Sequence, residues 1–136
     1  MKKVILFAGL IFLASCEIYL LENPNAWDDR DQFVGSYNVE EYSQTTDHFY
    51  NYSITIYKSC CVKDEIRITN FYGADIKVTG MVFNNRITIP LQQVGGYEIE
   101  GTGKLVQGKL VMTFFARALY SYPAMTDFVE IEAWPY

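Results

Sequence analysis

Histidine, cysteine and paired carboxylates are the side chains here whose chemistry would mark an enzyme, and their spacing argues against one. The only histidine, His48, lies in a polar connection, Gln44-Thr45-Thr46-Asp47-His48. A Ser–His–Asp or Cys–His arrangement would have to be built on it. Cys60 and Cys61 fall at the far end of the following strand, about 30 Å away in an extended chain. Being adjacent, they close only a small strained ring, and a strand points them to opposite faces, so a bond between them requires a turn. Glu98 with Glu100, and Glu130 with Glu132, each share one face of a strand, the arrangement that two-carboxylate hydrolysis needs. The opposite face holds the apolar residues in both cases, which assigns these glutamates to solvent. Asp28, Asp29 and Asp31 form an acidic cluster without the glycine and distal glutamate of a calcium loop. No catalytic set, metal site or cofactor is expected.

The ends of the chain are more informative. Lys2 and Lys3 precede an uninterrupted apolar run from Val4 to Ala14. A membrane-spanning helix takes roughly 20 such residues, so this run reads as an export signal and not as an anchor. It ends in Leu13-Ala14-Ser15-Cys16, which resembles the lipobox of bacterial lipoproteins. The resemblance implies cleavage after residue 15, diacylglycerol on the sulfur of Cys16, and acylation of the new amine, and hence a membrane partner. Glu17 follows with no dense acidic run directly behind it, so the expected address is the outer membrane, with the domain on the periplasmic side.

Removing the leader takes Lys+Arg from 11 to 9 against 16 Asp+Glu, a net charge near −7. An acidic chain repels phosphate backbones, which argues against nucleic acid as a partner. What remains is the size of one domain. Residues 16–32 lack period-2 alternation and read as a lipidated N-terminus and tether. The folded body is expected over 33–136.

That body alternates with period 2 throughout, as half-buried strands require. Phe33, Gly35, Tyr37 and Val39 share one face, as do Tyr50, Tyr52, Ile54 and Ile56. Ile66 and Ile68 follow, then Ile76, Val78 and Val82 broken by Gly80. Ile87, Ile89 and Leu91 make a fifth segment, and Tyr97, Ile99 and Gly101 a sixth. Leu110, Met112, Phe114 and Ala116, then Val129, Ile131 and Ala133, complete eight. The expected fold is all-β: an antiparallel eight-stranded meander closing into a barrel, with a two-sheet sandwich as the alternative.

Phe33-Val34-Gly35-Ser36-Tyr37 resembles the Gly-x-Trp opening of the lipocalin and wider calycin barrels, with Tyr37 in the Trp position. Ile99-Glu100-Gly101-Thr102-Gly103 followed by Gly108-Lys109-Leu110-Val111-Met112 is similar to the late hairpin of small lipocalin-like lipoproteins of the Bacteroidota. The body is shorter than a full lipocalin. The resemblance would set Arg117 over the first-strand aromatic, although its parity opposes that of Phe114. It implies a fold more than a function.

Two functions follow as expectations. The inward aromatics Tyr37, Tyr52, Tyr97 and Phe114 suit a barrel that binds a small apolar or amphipathic ligand at one open end. Alternatively, Phe115 on the outer face of strand seven and the loop residues Tyr120 and Tyr122 suit recognition of another envelope protein, as in an assembly accessory or an inhibitor. The loop tyrosines could equally fold back as a plug.

Overall fold

A computed structural model describes residues 27–136; the leader and Cys16 lie outside the described residues. The period-2 segments form eight strands: β1 (Gly35–Ser43), β2 (His48–Lys58), β3 (Glu65–Phe71), β4 (Ile76–Phe83), β5 (Arg86–Val94), β6 (Tyr97–Val106), β7 (Lys109–Ala118) and β8 (Thr126–Pro135). Each pairs antiparallel with the next, and β8 pairs with β1, so the meander closes into a lipocalin-like barrel and not a sandwich. Closure leaves no sheet edge unpaired by topology.

The apolar faces point inward and fill the barrel. Ile54, Ile56, Ile66, Ile68, Val78, Ile87, Ile89 and Ile99 are all essentially inaccessible. Gly101 and Gly103 leave room for their ladder partners: a Cβ on Gly101 would stand 2.4 Å from Cβ of Phe114, and one on Gly103 would stand 2.5 Å from Cγ of Met112. Large side chains on β7 thus reach the axis because β6 has none opposite.

Two local features differ from the sequence reading, and a third settles a point it left open. Gly80 lies within β4, paired with Ile66, and does not interrupt it. Leu91 is exposed because the β5–β6 register shifts between Ile89 and Gln92. Pro90, which has no N–H for a ladder, sits in that irregularity and reverses the parity beyond it. Cys60 and Cys61 occupy the β2–β3 turn and are joined as a vicinal disulfide.

The last residues assigned to the tether are fastened to the barrel. Asp29–Gln32 is a 3-10 turn whose N-cap, Asp28, accepts a hydrogen bond from the Arg30 amide. The Arg30 guanidinium pairs with Asp28 at 2.7 Å and donates to the carbonyls of Ser59, Val62 and Glu65. Asp29 accepts from the Asn84 amide, and Lys58 pairs with Asp31 at 2.5 Å. Phe33 then enters the core with no exposed surface, and its carbonyl accepts from the Tyr37 hydroxyl at 2.8 Å. One end of the barrel is closed by this segment. The folded body therefore begins before Phe33.

Candidate functional site

The other end carries the polar chemistry. The inward column of β1 runs Tyr37, Val39, Glu41, Ser43 from the closed end outward, and all four side chains are buried. Its upper half is polar where the barrel interior is otherwise apolar. β8 contributes Asp127, in phase with the inward residues Val129, Ile131 and Ala133.

A cavity of about 300 Å³ opens here, lined by Glu41, Thr46, Tyr50, Tyr52, Tyr72 and Asp127, with Asn51 and Gly73 at its rim. It exists because β2 and β3 splay. Their ladder holds only from Thr55 to Lys58 on β2, which leaves the Tyr50–Tyr52 stretch without a β3 partner. Asn70 and Tyr72 adopt left-handed backbone at the end of β3, beside a register shift between Ile68 and Phe71. The Asn70 side chain donates to the Ser53 carbonyl at 2.8 Å and spans the gap. A Cβ on Gly73 would stand 3.2 Å from the Tyr52 ring, so glycine there allows close approach of turn and strand.

Hydrogen bonds divide the two carboxylates unequally. Asp127 accepts from the Ser43 hydroxyl and the Tyr72 phenol, each at 2.5 Å, one on each oxygen. Ser43 in turn accepts from the Thr46 amide. Glu41 accepts from Tyr52 on Oε2. Its Oε1 makes no hydrogen bond among the described residues, although the residue is only 2% exposed. Burial pushes the Glu41 carboxyl up; the Tyr52 bond opposes that shift and the Asp127 charge adds to it. Burial likewise raises the Tyr52 and Tyr72 phenols, followed in each case by the neighbouring carboxylates. Both phenols thus remain hydrogen-bond donors at neutral pH.

The sequence-derived aromatics separate into two places. Tyr52 lines the cavity. Phe114 packs beneath it, 4.6 Å from the Phe71 ring and edge-on to Tyr72, which also meets Tyr97 edge-on at 5.5 Å. Tyr37 is apart from them, buried at the closed end against Phe33. Arg117 does not reach Tyr37: it sits on the outer face, paired with Glu98 at 2.8 Å, at the opposite end of β8 from Tyr37's partner Pro135. Glu100, Glu130 and Glu132 face solvent. His48 is exposed and bonded to the Thr46 carbonyl, outside the cavity lining.

Phe115 faces outward opposite its ladder partner Phe128, in a groove of about 270 Å³. Tyr120 and Tyr122 project from the β7–β8 loop almost fully exposed and do not plug the barrel.

Glu41, Ser43 and Asp127 escaped the sequence reading although β-parity carries them inward with Val39 and Val129. Tyr72 gave no such signal, because a bulge and a turn set its direction.

No protein-family model matches the chain, and no curated protein matches it. The class is defined by the fold and the site: a closed eight-stranded lipocalin-like meander with a solid interior and a polar, tyrosine-lined cup at one end.

Proposed function

We propose that this chain is a lipid-anchored protein of the cell envelope, related to the small lipocalin-like lipoproteins of the Bacteroidota, that binds a small amphipathic ligand without transforming it. Cys16 carries the lipid, and the outer membrane with the domain on the periplasmic side is the proposed address. The observation that supports binding is the contrast between the barrel's two ends. One is closed by Asp28–Phe33, while the other keeps a cavity floored by buried polar groups and walled by tyrosine rings. Small-ligand sites combine an apolar wall with a few convergent polar groups in this way. Native mass spectrometry of protein purified from its own host tests the reading. A bound small molecule, displaced by Tyr52→Trp, is the expected result; consistently unliganded protein overturns it.

The outward Phe115–Phe128 pair and the exposed Tyr120 and Tyr122 favour a second reading, recognition of an envelope protein. Exposed aromatics of this kind are the residues that anchor interfaces. Crosslinked pull-downs with Phe115→Ser and Tyr120→Ala would lose a specific partner under this reading. Unchanged capture by both variants rejects it.

A further inference from the structure

The geometry points to a primary ammonium group as the polar head of the ligand, seated between Glu41 and Asp127 in the cup. This rests on the reading of the cup as a small-ligand site, and it adds the ligand's charge and hydrogen-bonding class.

The hydrogen-bond inventory of the cup is lopsided. Tyr52 and Tyr72 are the donors beside the carboxylates, and each has already given its single proton to one of them. The Ser43 hydroxyl proton is given to Asp127 as well. What the buried floor still offers is acceptor capacity: Oε1 of Glu41, the second lone pairs of both phenols, and the remaining lone pairs of Asp127. The donors left over, on Thr46, Tyr50 and Asn51, belong to exposed residues. A ligand that brings only acceptors would meet free donors only on those exposed residues.

Charge points the same way. No lysine or arginine lines the cup. Arg117, on the strand beside Asp127, is turned to the outer face and engaged with Glu98. Glu41 appears in none of the ion pairs among the described residues, and neither does Asp127. A carboxylate this deeply buried ordinarily has a cationic partner or several donors, because isolated buried charge is costly. Glu41 has one donor and an unpartnered oxygen that borders a cavity. That oxygen is open to the cavity, and a bound cation would complete its interactions.

The remaining wall specifies the rest of the ligand. Tyr50, Tyr52 and Tyr72 present ring surface around the carboxylates, and aromatic faces attract cations as well as apolar groups. Three N–H donors on one ammonium head match acceptors arriving from β1, β2, β8 and the β3–β4 turn. A quaternary ammonium has charge but no donor for Oε1, and an inorganic divalent ion makes no use of the rings.

The test is a charge series on the intact mature barrel, followed by calorimetry and by NMR shifts of the Tyr52 and Tyr72 rings. Phenethylamine is expected to bind in the cup. Phenethyl alcohol and phenylacetate, of the same shape, are expected to bind at least roughly tenfold more weakly, the scale of one charge-assisted hydrogen bond. Tetramethylammonium and calcium ion are expected to bind more weakly still. Glu41→Gln should lose phenethylamine binding by roughly tenfold or more while melting no lower than the parent protein. Asp127→Asn supplies an independent variant should Glu41→Gln fail to fold. Equal binding of the alcohol or the acid at the same tyrosines overturns the cationic assignment and leaves the cup as a ligand site. Equal or tighter binding of tetramethylammonium or calcium overturns the primary-ammonium assignment. If no member of the series moves the Tyr52 or Tyr72 signals, the assignment and the cup reading fall together.

Discussion

Tyr52 donates its phenolic proton to Glu41 across the β1–β2 ladder on the diagonal, since Glu41 is in register with Tyr50 and Tyr52 with Val39. Diagonal neighbours on one face of a sheet lie within reach of long side chains. The bond is one contact for a carboxylate that is almost wholly buried, and burial outweighs it: the Glu41 carboxyl is raised above the ordinary 4.5. A group whose folded state holds its proton more tightly stabilises the fold at low pH, and that contribution is lost as pH rises through the folded-state value. Glu41→Gln removes the ionisation and keeps an acceptor for Tyr52. Its melting temperature is expected to exceed the parent's by a few degrees at pH 7, the scale of about 1 kcal/mol in a domain this size. The difference should shrink toward pH 4. Melts across that range check it, and a variant that is less stable at pH 7 would show the ionised form to be structurally required.

The closure of the interior depends on residues with no side chain. An alanine Cβ at position 101 would lie 2.6 Å from the Thr113 carbonyl and 2.9 Å from the Phe114 Cα. Those are backbone atoms of a paired strand and have no rotamer to escape into. Gly101→Ala is expected to cost about 2 kcal/mol, in the range of core overpacking. Gly108→Ala, in open space but at φ +77°, should cost about 1 kcal/mol, from left-handed backbone alone. Chemical denaturation of the pair separates crowding from strain; equal losses would mean that β6 and β7 relax apart.

Arg30 joins the N-terminal turn to the disulfide turn. Its side chain is mostly buried, and three carbonyls around Cys60–Cys61 accept from it. Arg30→Ala should lose about 1–2 kcal/mol, the scale of hydrogen bonds to a charged group. Faster amide exchange over residues 59–65, with the disulfide intact, is the local signature. The same guanidinium holds the Asp28 carboxyl at about 2, below its ordinary 3.8. A carboxylate lowered in the fold stabilises above the unfolded value, and this is lost as pH falls from 3.8 toward about 2. Asp28→Asn should therefore be less stable than the parent at pH 6 and indistinguishable from it near pH 2. A gap that persists in acid would assign the loss to packing instead of charge.

Strand parity made the barrel legible. Eight alternating segments separated by turns leave few topologies, and the inward lists for β3, β6, β7 and β8 follow from counting by twos. Parity failed where the backbone departs from the pleat. Pro90 shifts β5 and turns Leu91 out; the splay of β2 from β3 leaves Tyr50 at a rim instead of in a core. The cup was the least legible part for the same reason. Glu41 and Asp127 were present in the inward columns, but a carboxylate at an inward position reads as a departure from the pattern. Its meaning depends on Tyr52 and Tyr72, which a diagonal contact and a left-handed turn bring to it. The clasp by Asp28–Gln32 was hidden differently: an acidic run without alternation looks like a tether until its partners, Arg30, Lys58 and Asn84, are in place.

Anchoring makes a separate prediction, because it concerns residue 16 and leaves the barrel untouched. If the Leu13-Ala14-Ser15-Cys16 sequence is processed as a lipobox, the membrane affinity resides in acyl chains at about 0.8 kcal/mol per buried methylene, and two or more chains hold a protein stably. Among the described residues no helix is long and apolar enough to cross a membrane. The outward face of the barrel also carries Glu100, Glu130 and Glu132 instead of a continuous apolar band, whereas strands in lipid contact need such a band. Under the lipobox reading, Cys16→Ser should move the protein from the membrane fraction to the soluble periplasmic extract. Its mature mass should fall by the full set of acyl groups, and the melting temperature of its barrel should stay within a degree or two of the parent's. Retention of Cys16→Ser on carbonate-washed membranes would place the attachment elsewhere, with Phe115, Phe128 and the Tyr120–Tyr122 loop as the surface to examine next.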